Sequence, residues 1–335
     1  MWKPDEVQAI RWLGSFEAKP GKKFTHMSSL GDADSICSSG KLQVPDDEQT
    51  QQLLLQVVAE FYRRGKPLCL VERQTPLRPL VEDFDCVTSV GGPQLPNTLV
   101  HSADDNYRFW ARRADILHRL FPRVKILQLN LFSSSGWNKK AGAWKLSFHL
   151  VWPDLIIDRS RNHQVLLATR QAMAAAVAEE PWLQELEQTL LEAHPDNTWD
   201  AVFDDSAMTS NSLRMPYSDK GYDDPHGARL IEDRPLRAVG IFRFHFARLA
   251  RLNGVRTLPR TEVICDREDE HSVEEWIWHG SARRPRLGEG APELTPWVSP
   301  KVVGLAAPLN PQYKGLEQPV AEEDGAGDGV DGPLA

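Results

Sequence analysis

Residues 80–86 read Leu-Val-Glu-Asp-Phe-Asp-Cys and place two carboxylates, one residue apart, inside an apolar run. In an extended segment successive side chains point to opposite faces, so Asp83 and Asp85 share one face while Phe84 lies on the other. Two neighbouring acids are tolerated at a solvated strand end or around a cation, and such hard oxygen ligands suit Mg²⁺ or Mn²⁺. A lone Asp-x-Asp is more often an acidic turn, so a metal site needs support from other segments.

Composition allows a large core and does not exclude a nucleic-acid partner. The chain has 335 residues, 41% of them hydrophobic, which is enough for one catalytic unit with two lobes. Of the net charge of -8, six acids lie in residues 316–335, which contain no Lys or Arg. Residues 101–170 hold twelve Lys and Arg against five Asp. The charge is therefore polarised along the chain.

Cysteine usage and hydropathy indicate an intracellular protein without a membrane segment. The cysteines are far apart and form no Cys-x-x-Cys pair, which predicts neither a zinc knuckle nor a disulfide framework: Cys37, Cys69, Cys86 and Cys265. The first residues carry charges where a signal peptide is apolar, and no window approaches the ~18 apolar residues of a membrane span.

The first hundred residues predict a helix followed by two strands. Asp46 or Asp47 can cap the helix, apolar residues recur at helical spacing, and Gly65 ends it. Residues 67–72 and 79–86 have the composition of strands.

Later residues alternate between helical and extended patterns. A helix is predicted over 104–120, capped by Ser102 or Asp104, and a second helix, broken at Pro181, over 160–193. The predicted strands are 124–132, 143–152, 199–203 and 212–216, with a polar loop at 133–142 and a strand or helix start at 238–246. This interleaving predicts an α/β or α+β core.

A second chemical stretch lies within residues 145–152. Period two places Lys145, Ser147 and His149 on one face of the strand. A cation, a hydroxyl and an imidazole in a row form a donor ladder suited to phosphate oxygens. The alternative is an ordinary half-buried strand whose polar face meets water.

A third stretch combines a carboxylate at a strand end with side chains that can donate hydrogen bonds to phosphate. Asp204 and Asp205 end an apolar run, and Arg214, Ser218 and Lys220 follow. Arg offers a bidentate fork and Lys a point charge. A solvated acidic turn with scattered basic residues accounts for each residue singly, but not for their joint recurrence.

These three stretches, in this order, resemble the archaeo-eukaryotic primase superfamily, most closely its primase-polymerases and the primases of large DNA viruses. That family carries an Asp-x-Asp/Glu strand, a Ser-x-His strand, and a hydrophobic-Asp motif followed by an Arg and a Ser-x-Lys. Residues 24–28, 40–46 and 71–76 are also similar to the viral branch, and the resemblance covers about residues 24–242.

The resemblance implies a two-lobed α/β (α+β) catalytic core with mixed sheets flanked by helices. The expected divisions are an N-terminal extension at 1–23, the core at 24–280 and a largely disordered, Pro/Gly-rich acidic tail at 281–335. Within the core we expect an N-terminal lobe at about 24–100 and a catalytic lobe at about 101–250.

The resemblance also implies the site. Asp83, Asp85 and Asp204 would hold two Mg²⁺ or Mn²⁺ ions, with Asp205 as an alternative to Asp204. The residues implied to bind the nucleotide triphosphate are Lys145, Ser147, His149, Arg214, Ser218 and Lys220.

The implied function is that of a DNA primase or primase-polymerase, which makes or extends RNA or DNA primers on single-stranded DNA from NTPs or dNTPs. Members of this branch often carry a zinc module after the core, whereas Cys265, His271 and His279 do not form a four-ligand set. Initiation without a zinc module, primer extension, or a partner such as a helicase, a single-strand-binding protein or a separate zinc module would each be consistent with this. We expect a nuclear, mitochondrial or virus-encoded protein.

Two other functions explain part of the pattern. A nucleotide-sugar glycosyltransferase would use Asp83 and Asp85 to hold Mn²⁺, which leaves the other two stretches without a role. A non-catalytic subunit would bind single strands only. Trp137 and Trp144 flank two lysines and suit stacking with a single strand, although a solvated loop with two core tryptophans fits equally well.

Overall fold

The computed structural model describes residues 5–28, 40–205, 212–223, 226, 229–232, 234–246, 251–252, 255–283 and 292–305. The helices are α1 Glu6–Gly14, α2 Glu48–Arg63, α3 Arg108–Leu120, α4 Arg159–Val177, α5 Pro181–Ala193, α6 Trp199–Val202 and α7 Val273–Gly280. The strands are β1 His26–Ser28, β2 Lys41–Leu42, β3 Leu70–Arg73, β4 Arg78–Val87, β5 Ile126–Ser133, β6 Gly136–Asn138, β7 Ala143–Ile157, β8 Phe203–Asp204, β9 Ser212–Arg214, β10 Gly221–Asp223, β11 Arg229–Ile231, β12 Arg237–His245, β13 Arg251–Leu252, β14 Val255–Arg256 and β15 Arg260–Cys265. Two 3₁₀ turns span Asn97–Leu99 and Glu268–Glu270.

A seven-stranded sheet forms the centre of the molecule. Its order is β15-β12-β5-β7-β4-β8, and β6 pairs with the start of β7. All pairings between the described strands are antiparallel. The predicted α/β (α+β) class is confirmed.

Each face of this sheet covers a separate core. Leu80 and Phe84 of β4 and Leu150 of β7 point to one face and pack with α3, α4, α5 and α6. Val81 and Val151 point to the opposite face and pack with α1, α2 and α7. Because side chains alternate along a strand, β4 supplies both cores from successive residues.

A small sheet lies on the second face. Its order is β2-β1-β3-β9, so β9 is joined to a strand that comes 140 residues earlier in the sequence. Helix α2 packs beside it and begins as predicted, with the Asp47 carboxylate accepting a hydrogen bond from the Thr50 amide at 2.8 Å. Gly65, with φ of +62°, follows the end of α2. The left-handed backbone favours glycine there.

The predicted start of α3 is wrong. The helix begins at Arg108, not near Asp104, and has no side-chain cap, because Asn106 and Tyr107 adopt φ values of +58° and +55°. The Tyr107 ring is buried and lies 4.7 Å from the ring of Phe242. Burial of this ring outweighs the local capping signal.

Two other assignments change. Residues 199–203, predicted as a strand, form the helical turn α6 followed by β8. The helical turn places Trp199 and Val202 on one side, and both are buried in the first core. The loop predicted at 133–142 contains β6. The segment 238–246, predicted as a strand or helix start, lies on strand β12, Arg237–His245. Strand β15 and helix α7 were not predicted.

Residues 292–305 pack against the sheet after a gap in the described chain. The Thr295 amide donates to the Ile156 carbonyl at 2.8 Å, and the Val298 amide donates to the Leu120 carbonyl at 2.7 Å. Of the tail predicted as largely disordered, 281–335, the structure describes 281–283 and 292–305, while 284–291 and 306–335 lie outside the described residues. The predicted domain limits stay predictions. In the described part of the chain no helix has the length and apolarity of a membrane span.

Candidate active site

The central sheet brings the predicted acids together. Asp83 on β4 lies opposite Asp204 on β8 and, on its other side, opposite His149 on β7. Asp85 lies opposite Ser147. Directly opposed residues in antiparallel strands point to the same face, so these five residues share the face that carries the small sheet.

Lys145 neutralises Asp85. Its Nζ lies 2.6 Å from Asp85 Oδ2, and both side chains are largely buried. Burial alone would raise the pKa of Asp85, but the charge of Lys145 together with hydrogen bonds from Lys145 and Ser147 lowers the pKa. Burial would lower the pKa of Lys145, but the charge and hydrogen bond of Asp85, together with the charge of Asp83, raise it.

Burial and two neighbouring acids disfavour the ionised form of Asp83. Burial raises the pKa of Asp83 to about 8, with Asp85 and Asp204 adding repulsion. Its Oδ1 lies 3.3 Å from Nε2 of His149. Burial, together with Arg214, lowers the pKa of His149 to about 3. The imidazole is therefore neutral near pH 7 and lies beside Asp83 without forming an ion pair with it.

Asp204 and Asp205 point to different surroundings. Asp204 shares a register position with Asp83 and raises the pKa of that residue. Asp205 lies beyond the strand, and its charge acts on His163 of α4. This placement favours Asp204 as the third member of the acidic group.

Strand β9 and the residues that follow it supply basic groups near the acids. Arg214 on β9 is partly buried, and burial lowers its pKa, while the charges of Asp83 and Asp85 act on it in the opposite direction. Burial and the nearby Lys145 lower the pKa of Lys220. Ser218 is 0% exposed, and its hydroxyl has no hydrogen-bond partner among the described residues.

Two residues of this region were not predicted. Arg234 and Glu232 are buried between β11 and β12 and form an ion pair. The backbone carbonyl of Arg234 accepts a hydrogen bond from Arg214 Nη1 at 2.9 Å. They belong to an irregular connection, where hydrophobic periodicity gives no signal. The sole clue in the sequence was that Glu232 and Arg234, an acid and a base, lie two residues apart in a short polar segment.

A second buried ion pair lies on the face of β4 opposite to the acidic group. Glu82 points away from Asp83, towards α3, and its carboxylate accepts hydrogen bonds from Arg113 Nε at 3.0 Å and from Trp152 Nε1 at 2.9 Å. Arg113 Nη2 also pairs with Glu82. Sequence reasoning missed this pair because its members are 31 residues apart.

The β6–β7 hairpin carries the two tryptophans. Trp137 and Trp144 pair across the hairpin with ring centroids 6.0 Å apart and an interplanar angle of 78°. Trp137 is 42% exposed. Strand β7 continues from this hairpin directly to Lys145, so the exposed ring lies close along the chain to the candidate site.

A family comparison identifies the relationship. A model of the C962R protein N-terminal AEP domain matches residues 34–229, which is more than half of the chain. The chain belongs to the archaeo-eukaryotic primase (AEP) superfamily. The resemblance predicted from the three motifs is confirmed, including its large DNA virus primase-polymerase branch. No curated protein matches the chain.

The AEP match includes every predicted site residue and ends before Glu232 and Arg234. An AEP domain acts with nucleic acid and nucleotides, and this family typically consists of nucleotidyltransferases. The roles of individual residues in this chain are proposals, developed below.

AEP domains generally use divalent metals. Among the described ranges, no three His, Cys, Asp or Glu side chains are already arranged to hold a metal ion. The carboxylates of Asp83, Asp85 and Asp204 nevertheless fit Mg²⁺ or Mn²⁺ by donor type and by register. Oδ1 of Asp85 is buried without a hydrogen bond within the described chain. The three residues therefore fit the ion by donor chemistry, and they share one face of the sheet.

Proposed function

We propose that this AEP domain catalyses template-directed nucleotidyl transfer and makes or extends RNA or DNA primers on single-stranded DNA from NTPs or dNTPs. One observation carries the proposal: the acids of β4 and β8 share a sheet face with the hydrogen-bond donors of β7, which suit phosphate oxygens. Phosphoryl transfer depends mainly on positioning and charge stabilisation, for which carboxylates and basic donors suffice.

The proposed reaction is a displacement at phosphorus. The primer 3′ oxygen bonds to the α-phosphorus, the bond from that phosphorus to the bridging oxygen breaks, and pyrophosphate leaves while the hydroxyl proton passes to solvent. Mg²⁺ or Mn²⁺, when held by Asp83, Asp85 and Asp204, supplies positive charge that lowers the pKa of the 3′ hydroxyl and offsets the charge of the triphosphate.

The chain's own donors bind and orient the triphosphate. Arg214 offers a planar fork to two phosphate oxygens, whereas Lys145 and Lys220 act as point charges. His149, neutral at pH 7, can donate one N–H to a phosphate oxygen without adding charge. The Ser147 hydroxyl lies between these groups on β7.

Ser218 keeps its predicted role only under a further condition. Because its hydroxyl is buried, direct contact with a nucleotide requires the turn around Met215–Asp219 to move. We therefore assign phosphate binding first to Arg214 and Lys220.

The hairpin is the proposed contact with the template strand. The exposed Trp137 ring offers a stacking platform, and Lys139 and Lys140 offer positive charge for the backbone. This assignment rests on exposure and charge, and it is independent of the acidic group.

The test is incorporation of labelled NTP or dNTP on a single-stranded template, with and without an annealed primer, in Mg²⁺ or Mn²⁺. We expect Asp83→Asn and Asp85→Asn each to lose at least about 100-fold in rate, since each removes a carboxylate that would hold the metal ion. Asp196→Asn is the matched control, because the side chain of this aspartate is 82% exposed and is not one of the predicted site residues.

Three outcomes would contradict the proposal. Wild-type rates in Asp83→Asn would remove the acidic group from the chemistry. Binding of single strands without incorporation by the unmodified chain would indicate the non-catalytic subunit. Turnover of nucleotide sugars in place of NTPs or dNTPs would indicate the glycosyltransferase. Comparison of primed and unprimed templates separates extension from initiation.

A further inference from the structure

The connection between β11 and β12 contains a buried charge pair that no motif of the chain includes. Arg234 is 7% exposed and Glu232 is 2% exposed, and Arg234 Nη2 pairs with the Glu232 carboxylate. Burial of two charges is costly unless they are paired and further hydrogen-bonded. The surroundings of Arg234 show where these additional bonds lead.

Arg234 contacts both sides of the candidate site. Its Nη1 donates to the Ser134 carbonyl at 2.9 Å, at the end of β5, and its own carbonyl accepts from Arg214 Nη1 at 2.9 Å. Arg214 belongs to the small sheet and Ser134 follows a strand of the central sheet. Arg234 therefore links the two sheets beside the side chains proposed to bind phosphate.

Ser134 passes this link on to β7. Its hydroxyl lies 3.2 Å from the Ser147 hydroxyl, and its amide donates to the Ser147 carbonyl at 3.0 Å. The path from Arg234 to Ser147 thus contains one intervening residue. Gly136 leaves room for the arginine, since a Cβ at this position would lie 3.1 Å from Arg234 Cδ.

Glu232 stabilises a crowded group of cations. Arg234 lowers the pKa of Arg214 through repulsion, after the larger effect of burial, and Glu232 counteracts it. The same carboxylate acts on Lys220, whose carbonyl also accepts a hydrogen bond from the Glu232 amide at 2.9 Å. Glu232 is thus a buried acid placed among Arg214, Lys220 and Arg234.

We propose that Arg234 is a positioning residue that fixes Arg214 and Ser147 for triphosphate binding, and that Glu232 holds Arg234 in this orientation. The inference rests on the proposed function, because it assigns triphosphate binding to the same site. A planar guanidinium can satisfy Glu232 and the Ser134 carbonyl at once, whereas a lysine ammonium has no such fork. Arg234→Lys therefore keeps the charge and removes the geometry.

The experiment measures binding of a fluorescent nucleoside triphosphate in Mg²⁺, together with KM, kcat and Tm, for Arg234→Lys and Glu232→Gln. We expect Arg234→Lys to weaken binding and raise KM about tenfold, the weight of one hydrogen bond to a charged group, with a smaller change in kcat. Glu232→Gln should cause a smaller loss in the same direction. Arg243→Lys, an exposed arginine on β12, is the matched control.

A merely structural role would lower Tm and the active fraction but leave KM unchanged. A double variant tests the route: if Arg234 acts through Arg214, adding Arg234→Lys to Arg214→Lys should cost much less than adding it to the wild type. Additive effects would overturn the inference.

The outcomes separate the inference from the proposed function. If the wild type binds triphosphate and both variants bind it equally well, the inference is overturned and the proposed function is untouched. If the wild type binds triphosphate, loses it on Arg234→Lys, yet incorporates no nucleotide, the inference stands and the proposed function fails. Absence of triphosphate binding by the wild type overturns both.

Discussion

Replacement of Arg113 by methionine should destabilise the protein by about 3–5 kcal/mol, because it leaves the buried Glu82 carboxylate without its cation. Arg113 is 0% exposed, and Glu82 receives two donors from it and one from Trp152. A domain whose unfolding free energy is of order 5–15 kcal/mol would lose a large share of its stability.

The assay is urea unfolding at pH 7, followed by tryptophan fluorescence. The control is Arg64→Met, which removes an arginine that is 41% exposed and pairs with Glu60 at 2.7 Å within one helix. An exposed pair of this kind contributes about 1 kcal/mol or less. The double variant Glu82→Leu/Arg113→Met removes both charges and should recover much of the loss, leaving about 1–3 kcal/mol for the Trp152 indole that loses its acceptor.

Two results would refute this reasoning. Arg113→Met could cost no more than the exposed control, which would mean that water reaches Glu82. Alternatively, the double variant could be as unstable as the sum of the two single variants, which would mean that shape and not charge pairing dominates at this position.

Other predictions concern binding and pH. His149→Ala should raise the KM for nucleotide in steady-state incorporation, and an unchanged KM would remove its triphosphate role. Trp137→Ala should weaken binding of single-stranded DNA by about 1–3 kcal/mol in fluorescence anisotropy, whereas Val302→Ala, also exposed, should not. Burial lowers the pKa of His101 to about 4, and its Nδ1 accepts from Trp110 Nε1 at 3.2 Å. The stability contribution of neutral His101 is therefore fully present above about pH 6.5. Up to about 3 kcal/mol of unfolding free energy is lost as the pH falls towards 4. Unfolding curves of His101→Gln should lack this part of the pH dependence, and an unaltered slope would contradict it.

The candidate site was predictable wherever its residues lie on regular strands. Alternation alone places Asp83 and Asp85 opposite Phe84, and Lys145, Ser147 and His149 on a single face. What alternation cannot supply is which strands become neighbours. The order of motifs in the family resemblance supplied that information.

The remaining errors occur where tertiary burial overrides local signals. Tyr107 enters a left-handed conformation to bury its ring, which delays the start of α3. Trp199 and Val202 are buried together, which favours a helical turn over the predicted strand. Arg234 and Glu232 were missed because a charge pair in an irregular link has no period. Their importance depends on Arg214, Ser134 and Ser147, which only the folded chain brings near.

The position of β12 has a practical consequence for anyone who trims this chain. The family match stops at residue 229, yet β12 follows it and pairs with β5 from Arg237 to His245. A fragment that ends at residue 229 would expose the full edge of β5 and remove the β12 residues from both cores. Such an exposed edge favours intermolecular strand pairing. The matched region is thus smaller than the set of strands that pack together, and expression boundaries should follow the latter.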